Sequence, residues 1–238
     1  KAIRRQRQMC IRDSANAEII DQAAQRGIKI IVIDSDVNSS QVSCRIGTNN
    51  LQAGIKAAEA ALATDDEELY IGIVNYDVNS ANGQQRELGF RQTVEQDPRV
   101  KNITTINVLS TTEDARAGAK EMLLSDSRIN VVVTFNEWTS LGVGWAIRDL
   151  NRADRIQVVA FDSNVVSVGM LETGEVDALI VQNPYAMGYL GVETAANLMN
   201  GQTGGPSVVD TATTIVTREN MYEPESQKIL FSFEEEGY

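Results

Sequence analysis

The chain of 238 residues contains no histidine. That absence removes the imidazole base of a Ser-His-Asp or Cys-His site and the commonest nitrogen ligand for transition metals. Cysteine is nearly absent too, with only Cys10 and Cys44 and no CxxC spacing, so neither a zinc ribbon nor a disulfide scaffold is suggested. Cys44, inside the alternating run QVSCRIG, reads as a small buried hydrophobe. No uninterrupted apolar run approaches the roughly 18 residues that a membrane span requires. Glycine-rich phosphate loops are missing: no GxGxxG follows a strand-like run, and no GxxxxGK followed by Ser or Thr occurs. The segment GQTGGP at 201–206 follows a helical stretch and reads as a helix stop and a turn. Basic residues are in deficit, 21 against 33 acidic, a formal charge of -12 that repels phosphate backbones and anionic membrane surfaces. Nucleic acid is therefore not expected as a partner.

What is present is an ordinary globular composition, 42% apolar and 23% charged, enough for one large domain or two smaller ones with their own cores. The first 13 residues break from the rest, holding five of the basic residues and one acidic residue. A signal peptide would follow its basic start with an apolar stretch, and none follows here. QMCIRDS resembles translated adapter sequence, so residues 1–13 read as a foreign or disordered leader.

From Ser14 onward the pattern alternates between helical spacing and short β-branched runs, which predicts α/β units on a mostly parallel sheet. SANAEIIDQAAQRG predicts a helix capped by Ser14 and stopped at Gly27. Strands are expected at IKIIVID, LYIGIVNY, ITTINVL, NVVVTF, IQVVAF and ALIVQ. Helices are expected over Leu51–Leu62, up to Glu95, after a Thr112 cap, over Trp138–Leu150, Val165–Leu171 and Tyr185–Met199. The acidic run Glu234–Glu236 reads as part of a solvated tail over 226–238.

Five of these runs stop at a polar residue: Asp34, Asn75, Asn136, Asp162 and Gln182. In an open parallel sheet the ligand crevice lies beyond the carboxyl ends of the strands, so these side chains are expected to line one. The alternative is that each starts a turn or caps the next helix.

GIKIIVIDSDV, IGTNNLQAG, NSANGQQRELGF, VVTFNEWTSLG, IQVVAFDSN, ALIVQNPYAMGYLGVETAANLMNG and VDTATTIVTREN, taken as a set, resemble in order the signature segments of the ribose-type periplasmic sugar-binding protein family over roughly residues 15–225. Lactose-repressor-type regulators share that fold. The resemblance implies two doubly wound parallel-sheet lobes, a type I periplasmic binding protein, that close about hinges on a monosaccharide or similar polyol. It places 14–66 with 183–213 in the first lobe and 67–182 with 214–225 in the second. It also implies that the family's opening strand-helix-strand-helix portion is missing, leaving the first lobe incomplete.

Carried over residue by residue, Asp34 matches the family's acidic sugar ligand, with Ser35 where ribose binders carry arginine. Arg86 in RELGF matches a second-lobe arginine that binds ligand oxygens; the alternative is an exposed helix arginine paired with Glu87. Asn136, Asp162 and Gln182 fall on polar ligand positions. Trp138 offers a stacking face, or else packs as core with Leu141 and Trp145. Carboxylates accept hydroxyl protons, a guanidinium donates, and amides do both, which suits a neutral sugar. The implied function is the extracytoplasmic solute-binding component of a sugar ABC transporter, periplasmic or an extracellular lipoprotein. Its expected partners are the sugar and a membrane permease, in a monomer with no catalytic residue, cofactor, metal or nucleic acid. The alternative function is the effector-binding domain of a regulator. A hydrolase using Asp34 and Asp162 has only two carboxylates to support it.

Overall fold

The computed structural model of the protein describes residues 13–202 and 205–231. Two compact units emerge: unit 1 is Lys1–Asn49 with Gln182–Ala212, and unit 2 is Asn50–Val181 with Thr213–Tyr238. Each is α/β, as the alternating pattern predicts.

Unit 2 holds a sheet of six strands in the order β4-β3-β5-β6-β7-β9: β3 (Leu69–Asn75), β4 (Val100–Asn107), β5 (Val131–Thr134), β6 (Gln157–Phe161), β7 (Ala178–Val181) and β9 (Thr214–Thr217). All pairings are parallel except β7 with β9. Central parallel strands covered on both faces need continuous apolar runs, and VVVT and ALIV are buried at every position. Side-chain alternation then sorts residues into two cores. Ile71, Ile73, Val131, Val133, Phe135, Val159, Phe161 and Ile180 pack under α2 (Asn50–Leu62) and α3 (Ala81–Val94). On the other face Val74, Val132, Val158, Ala160 and Leu179 pack under α4 (Thr112–Ser125), α5 (Glu137–Leu150) and α6 (Val165–Thr173). Full burial of side chains such as Phe90, Phe135 and Phe161 contributes about 1.5–3 kcal/mol each.

Unit 1 holds three parallel strands in the order β1-β2-β8: β1 (Ile30–Ile33), β2 (Val42–Thr48) and β8 (Val208–Thr211). It also contains α1 (Asp13–Gln25) and α7 (Pro184–Met199). Its core is small: Cys44, Ile46 and Met187, with Ile31, Leu190 and Val209 packed against them. Cys44 is a free, buried cysteine, as its alternating run predicts, and burial pushes its thiol up. Cys10 lies outside the described residues.

Three expectations need correction. The stretch 50–62 was expected in the first lobe, yet α2 belongs to unit 2. Two glycines explain this. A side chain at Gly54 would put its Cβ 2.0 Å from the Arg86 carbonyl oxygen, and one at Gly89 would put it 2.1 Å from that of Leu51, so α2 and α3 touch backbone to backbone. Gln182 likewise groups with unit 1, where Thr48 Oγ1 donates to its Oε1 at 2.6 Å. The expected tail from 226 instead begins as a helix, α8 (Pro224–Leu230), because Leu230 finds a place in the unit 2 core. The acidic run Glu234–Glu236 and the leader through residue 12 lie outside the described residues. Two cap positions also shift by a residue or more: α1 begins at Asp13, so Ser14 is not its cap, and α4 is capped by Thr111, whose side chain accepts from the Asp114 amide.

Candidate functional site

In unit 2, α3 carries Arg86 to the carboxyl ends of β5 and β6, where Asn136 and Asp162 follow the strands. Arg86 is 3% exposed, and no other Lys or Arg is buried among the described residues. Its Nε donates to Asn50 Oδ1 at 2.8 Å, and an Nη donates to the carbonyl of Phe135 at 2.7 Å. Its guanidinium lies 4.8 Å from the centre of the Phe161 ring. Phe135 and Phe161 each immediately precede a candidate residue, Asn136 and Asp162, so one cation ties both strand ends together. The alternative of an exposed arginine paired with Glu87 is overturned: Glu87 bonds Arg91 Nε at 2.8 Å.

Asn136 serves two neighbours. Its Oδ1 accepts from the Thr139 amide as the cap of α5, and its Nδ2 donates to Ser110 Oγ at 2.8 Å. The turn-and-cap alternative therefore holds for this residue alongside its strand-end position. Asp162 sits in the left-handed region at φ 67, and its Oδ2 accepts from the Glu137 amide at 3.0 Å. The Glu137 carboxylate in turn accepts from Asn164 Nδ2 at 2.6 Å. Trp138 is half-buried and leans on the core beneath α5. Asn75, grouped with the others by sequence, is not one of them: it is 3% exposed and turned inward, bonding the Gly83 carbonyl and the Glu87 carboxylate. Beneath the polar layer, Phe90, Phe135 and Phe161 pack edge to face with ring centres 6.0 and 5.7 Å apart.

Unit 1 places Asp34 and Ser35 directly after β1, both exposed. Asp34 has φ 64, and its amide donates to the Ile46 carbonyl at 2.9 Å. This repeats the arrangement of Asp162, whose amide donates to the Ile180 carbonyl at 3.1 Å. Aspartate tolerates the left-handed region better than most side chains, so both strand ends turn sharply on the same residue type. Gln182 is half-buried beside Thr48.

Sequence reasoning missed Asn50, Ser110, Glu137 and Asn164 as members of the unit 2 cluster. Three of them lie inside quoted segments, IGTNNLQAG, VVTFNEWTSLG and IQVVAFDSN, and of these Glu137 and Asn164 stand one or two residues from a candidate position; nothing short of coordinates points to Ser110. Among the described residues no group of three or more Cys, Asp or Glu is placed to hold a metal ion, and no helix is long and apolar enough to cross a membrane.

Comparison with known proteins gives this arrangement its context. Residues 11–203 match the model of a periplasmic binding protein domain. The D-ribose/D-allose-binding protein of Pseudomonas aeruginosa is 25% identical over 211 residues, covering 84% of this chain and 65% of that protein. Among solved structures, the carbohydrate transporter solute-binding protein of Agrobacterium radiobacter, in complex with D-arabinose, superposes with a TM-score of 0.85 at 29% identity, covering 91% of this chain and 75% of that one. The periplasmic component of an ABC-type sugar transport system from Hahella chejuensis does so with a TM-score of 0.79 at 30% identity, covering 83% and 73%. The chain thus spans about two thirds of the length of the first of these relatives. On the extent of the domain match, it belongs to the periplasmic binding protein domain family.

Proposed function

We propose that the protein is the solute-binding component of a sugar ABC transporter and takes a monosaccharide or similar polyol. The observation that carries this reading is the buried guanidinium of Arg86, bonded to the Phe135 carbonyl and set beside the Phe161 ring, one residue before Asn136 and Asp162. A buried cation is costly unless its surroundings compensate it, and here Asn50 Oδ1, the Phe135 carbonyl and the Phe161 ring supply that compensation at the strand ends. Arg86, Asn136 and Asp162 from unit 2, with Asp34, Ser35 and Gln182 from unit 1, are the proposed sugar ligands. Trp138 is the proposed stacking face, reached at the edge that it does not press into the core. Relatives whose names include ribose, allose and D-apiose binding support the substrate class. Relatives named as an import binding protein and as a periplasmic protein support a membrane permease as partner and a periplasmic setting; a lipoprotein anchor as the alternative setting and a role without turnover complete the proposal. A monomeric state belongs to the same proposal.

Titration calorimetry of the full-length gene product against pentoses, hexoses and linear polyols tests this. One class of sugar is expected to give saturable heat, weakened about 10–100-fold by Arg86→Met, the scale of one or two hydrogen bonds to a charged group. Silence across the whole panel would refute the sugar reading.

A further inference from the structure

β5 and β6 separate where the candidate ligand residues begin. Their ladder pairs Val131 with Gln157, Val132 with Val158 and Val133 with Val159, and goes no further. Yet β6 runs on to Phe161, which is fully buried, so the backbone groups that it turns towards β5 lie beyond the ladder and out of reach of water. Buried backbone groups need partners, and Ser140, in the first turn of α5, supplies them. The Phe161 amide donates to Ser140 Oγ at 3.0 Å, and the same oxygen lies 2.8 Å from the Phe161 carbonyl. It also lies 2.7 Å from the Asn136 carbonyl and 2.7 Å from Thr134 Oγ1. A hydroxyl has one proton and two lone pairs. The two carbonyls share the proton, so the Phe161 amide and the Thr134 hydroxyl are the two donors. The hydroxyl is thereby saturated, and Ser140 is only 1% exposed.

Two proposed sugar ligands hang on these backbone groups. The end of β5 is held at two successive carbonyls, that of Phe135 by Arg86 and that of Asn136 by Ser140. The peptide between Phe161 and Asp162 is held on both sides: its carbonyl meets Ser140, and its amide donates to the Ile180 carbonyl at 3.1 Å. With that plane fixed, the left-handed φ of 67 that follows sets the direction in which the Asp162 side chain leaves the chain. α5 thus reaches Asp162 twice, through Ser140 behind it and through the Glu137 amide on its carboxylate.

We propose, on the sugar reading above, that Ser140 is a positioning residue that sets the spacing between Asn136 and Asp162, and with it the discrimination between sugars that differ at one hydroxyl centre. Its hydroxyl has no capacity left for a ligand, so it acts only through those two residues. Epimers differ in the place of a single hydroxyl, and a frame that lets two ligand groups drift accepts both.

Titration calorimetry of the full-length gene product tests this, with the sugar bound tightest in the panel above and its single-centre epimers, beginning with D-ribose against D-arabinose and D-allose against D-glucose. Ser140→Ala is expected to weaken the preferred sugar about tenfold, the scale of a lost hydrogen bond, and its epimer less than about twofold, so that discrimination falls. Ser140→Thr, which keeps the hydroxyl, is expected to retain it. A merely structural role would lower the unfolding temperature and weaken both epimers alike, and that result would overturn the proposal. So would equal affinity for the epimers in the unaltered protein. Should Ser140→Ala fail to fold, Thr134→Val, which removes only the proton that Ser140 receives, replaces it, with a loss of about threefold expected in the same direction. Without ligand, the Phe161 amide is expected to exchange at least about tenfold faster in Ser140→Ala while the Val159 amide is unchanged; equal exchange in both proteins would show that the hydroxyl holds nothing. Silence of the unaltered protein towards every sugar would refute the sugar reading itself, and the role of Ser140 with it. Sugar binding with discrimination unmoved in every folded variant would refute the role of Ser140 alone.

Discussion

β1 of unit 1 reads IIVI and β5 of unit 2 reads VVVT, nearly synonymous stretches of β-branched residues. Every residue of β5 is buried and none of β1 is, with Ile33 at 49% exposure. The strands are alike; their neighbours are not. β5 lies inside a six-stranded sheet with helices over both faces, whereas β1 pairs on one side only, in a sheet of three. The helices repeat the contrast. α5 buries most of one side against the sheet, while α7 buries Met187 alone and leaves Tyr185, Tyr189, Val192 and Met199 between 57% and 86% exposed. Those four recur at helical spacing, so α7 carries a complete second apolar stripe. The lesson is that an apolar run specifies an appetite for burial, and the number of elements around it decides whether that appetite is met.

The comparison breaks most decisively if core truncations cost the two units the same. Phe135→Ala is expected to destabilise unit 2 by about 3–5 kcal/mol, the usual cost of deleting a buried aromatic. Ile31→Ala in β1 is expected to cost about 1–2 kcal/mol, because its side chain is only half-buried. Hydrogen exchange followed by mass spectrometry reads each unit separately, with β3 and β5 protected longest and β1 and β2 exchanging first. Equal protection in both units would mean that the small sheet is as well supported as the large one.

A smaller effect sharpens the same point on the surface. The double variant Tyr189→Lys, Val192→Glu is expected to change unfolding free energy, read by denaturant titration, by no more than about 0.5 kcal/mol, because both side chains are exposed. A loss beyond about 1 kcal/mol would show the stripe to be covered in solution.

The smallest effect concerns acid. In unit 2 the Arg116 guanidinium, helped by Lys120, holds the Asp149 carboxyl down to about 2 and ties α4 to α5. A carboxyl lowered in the folded state favours folding above its ordinary value of 3.8 and ceases to do so as pH falls towards about 2. Asp149→Asn is therefore expected to flatten the acid limb of unfolding in that window by losing the same amount of stability at neutral pH, an amount kept small because the pair is solvent-exposed. Circular dichroism against pH checks this, and an acid limb unchanged by the substitution would show that the pair carries no weight.

Much of this architecture was legible in advance. β1 and β3 to β7 appear as the expected β-branched runs, all but β4 within two residues of their observed bounds, whereas β2, β8 and β9 were not expected as strands; Asn136 and Asp162 stand at strand ends as expected. Other features turned on contacts that a linear pattern does not encode. The alanines of α2 announce a buried face without naming the sheet that buries it, and only the Gly54 and Gly89 contacts with α3 assign it to unit 2. Asn75 shares its position with Asn136, but the proximity of Gly83 and Glu87 turns it inward. α8 is seven residues long, too short for helical spacing to rise above chance.

The left-handed backbone at Asp34 and Asp162 narrows what any reshaping of specificity can use. A mutant library that randomised these two codons would be sieved by main-chain geometry before it met any ligand: glycine and asparagine would survive beside aspartate, and valine, isoleucine and threonine would be purged. New preferences would have to be written at adjacent codons whose backbone imposes no such filter, Ser35 after the first and Glu137 across from the second.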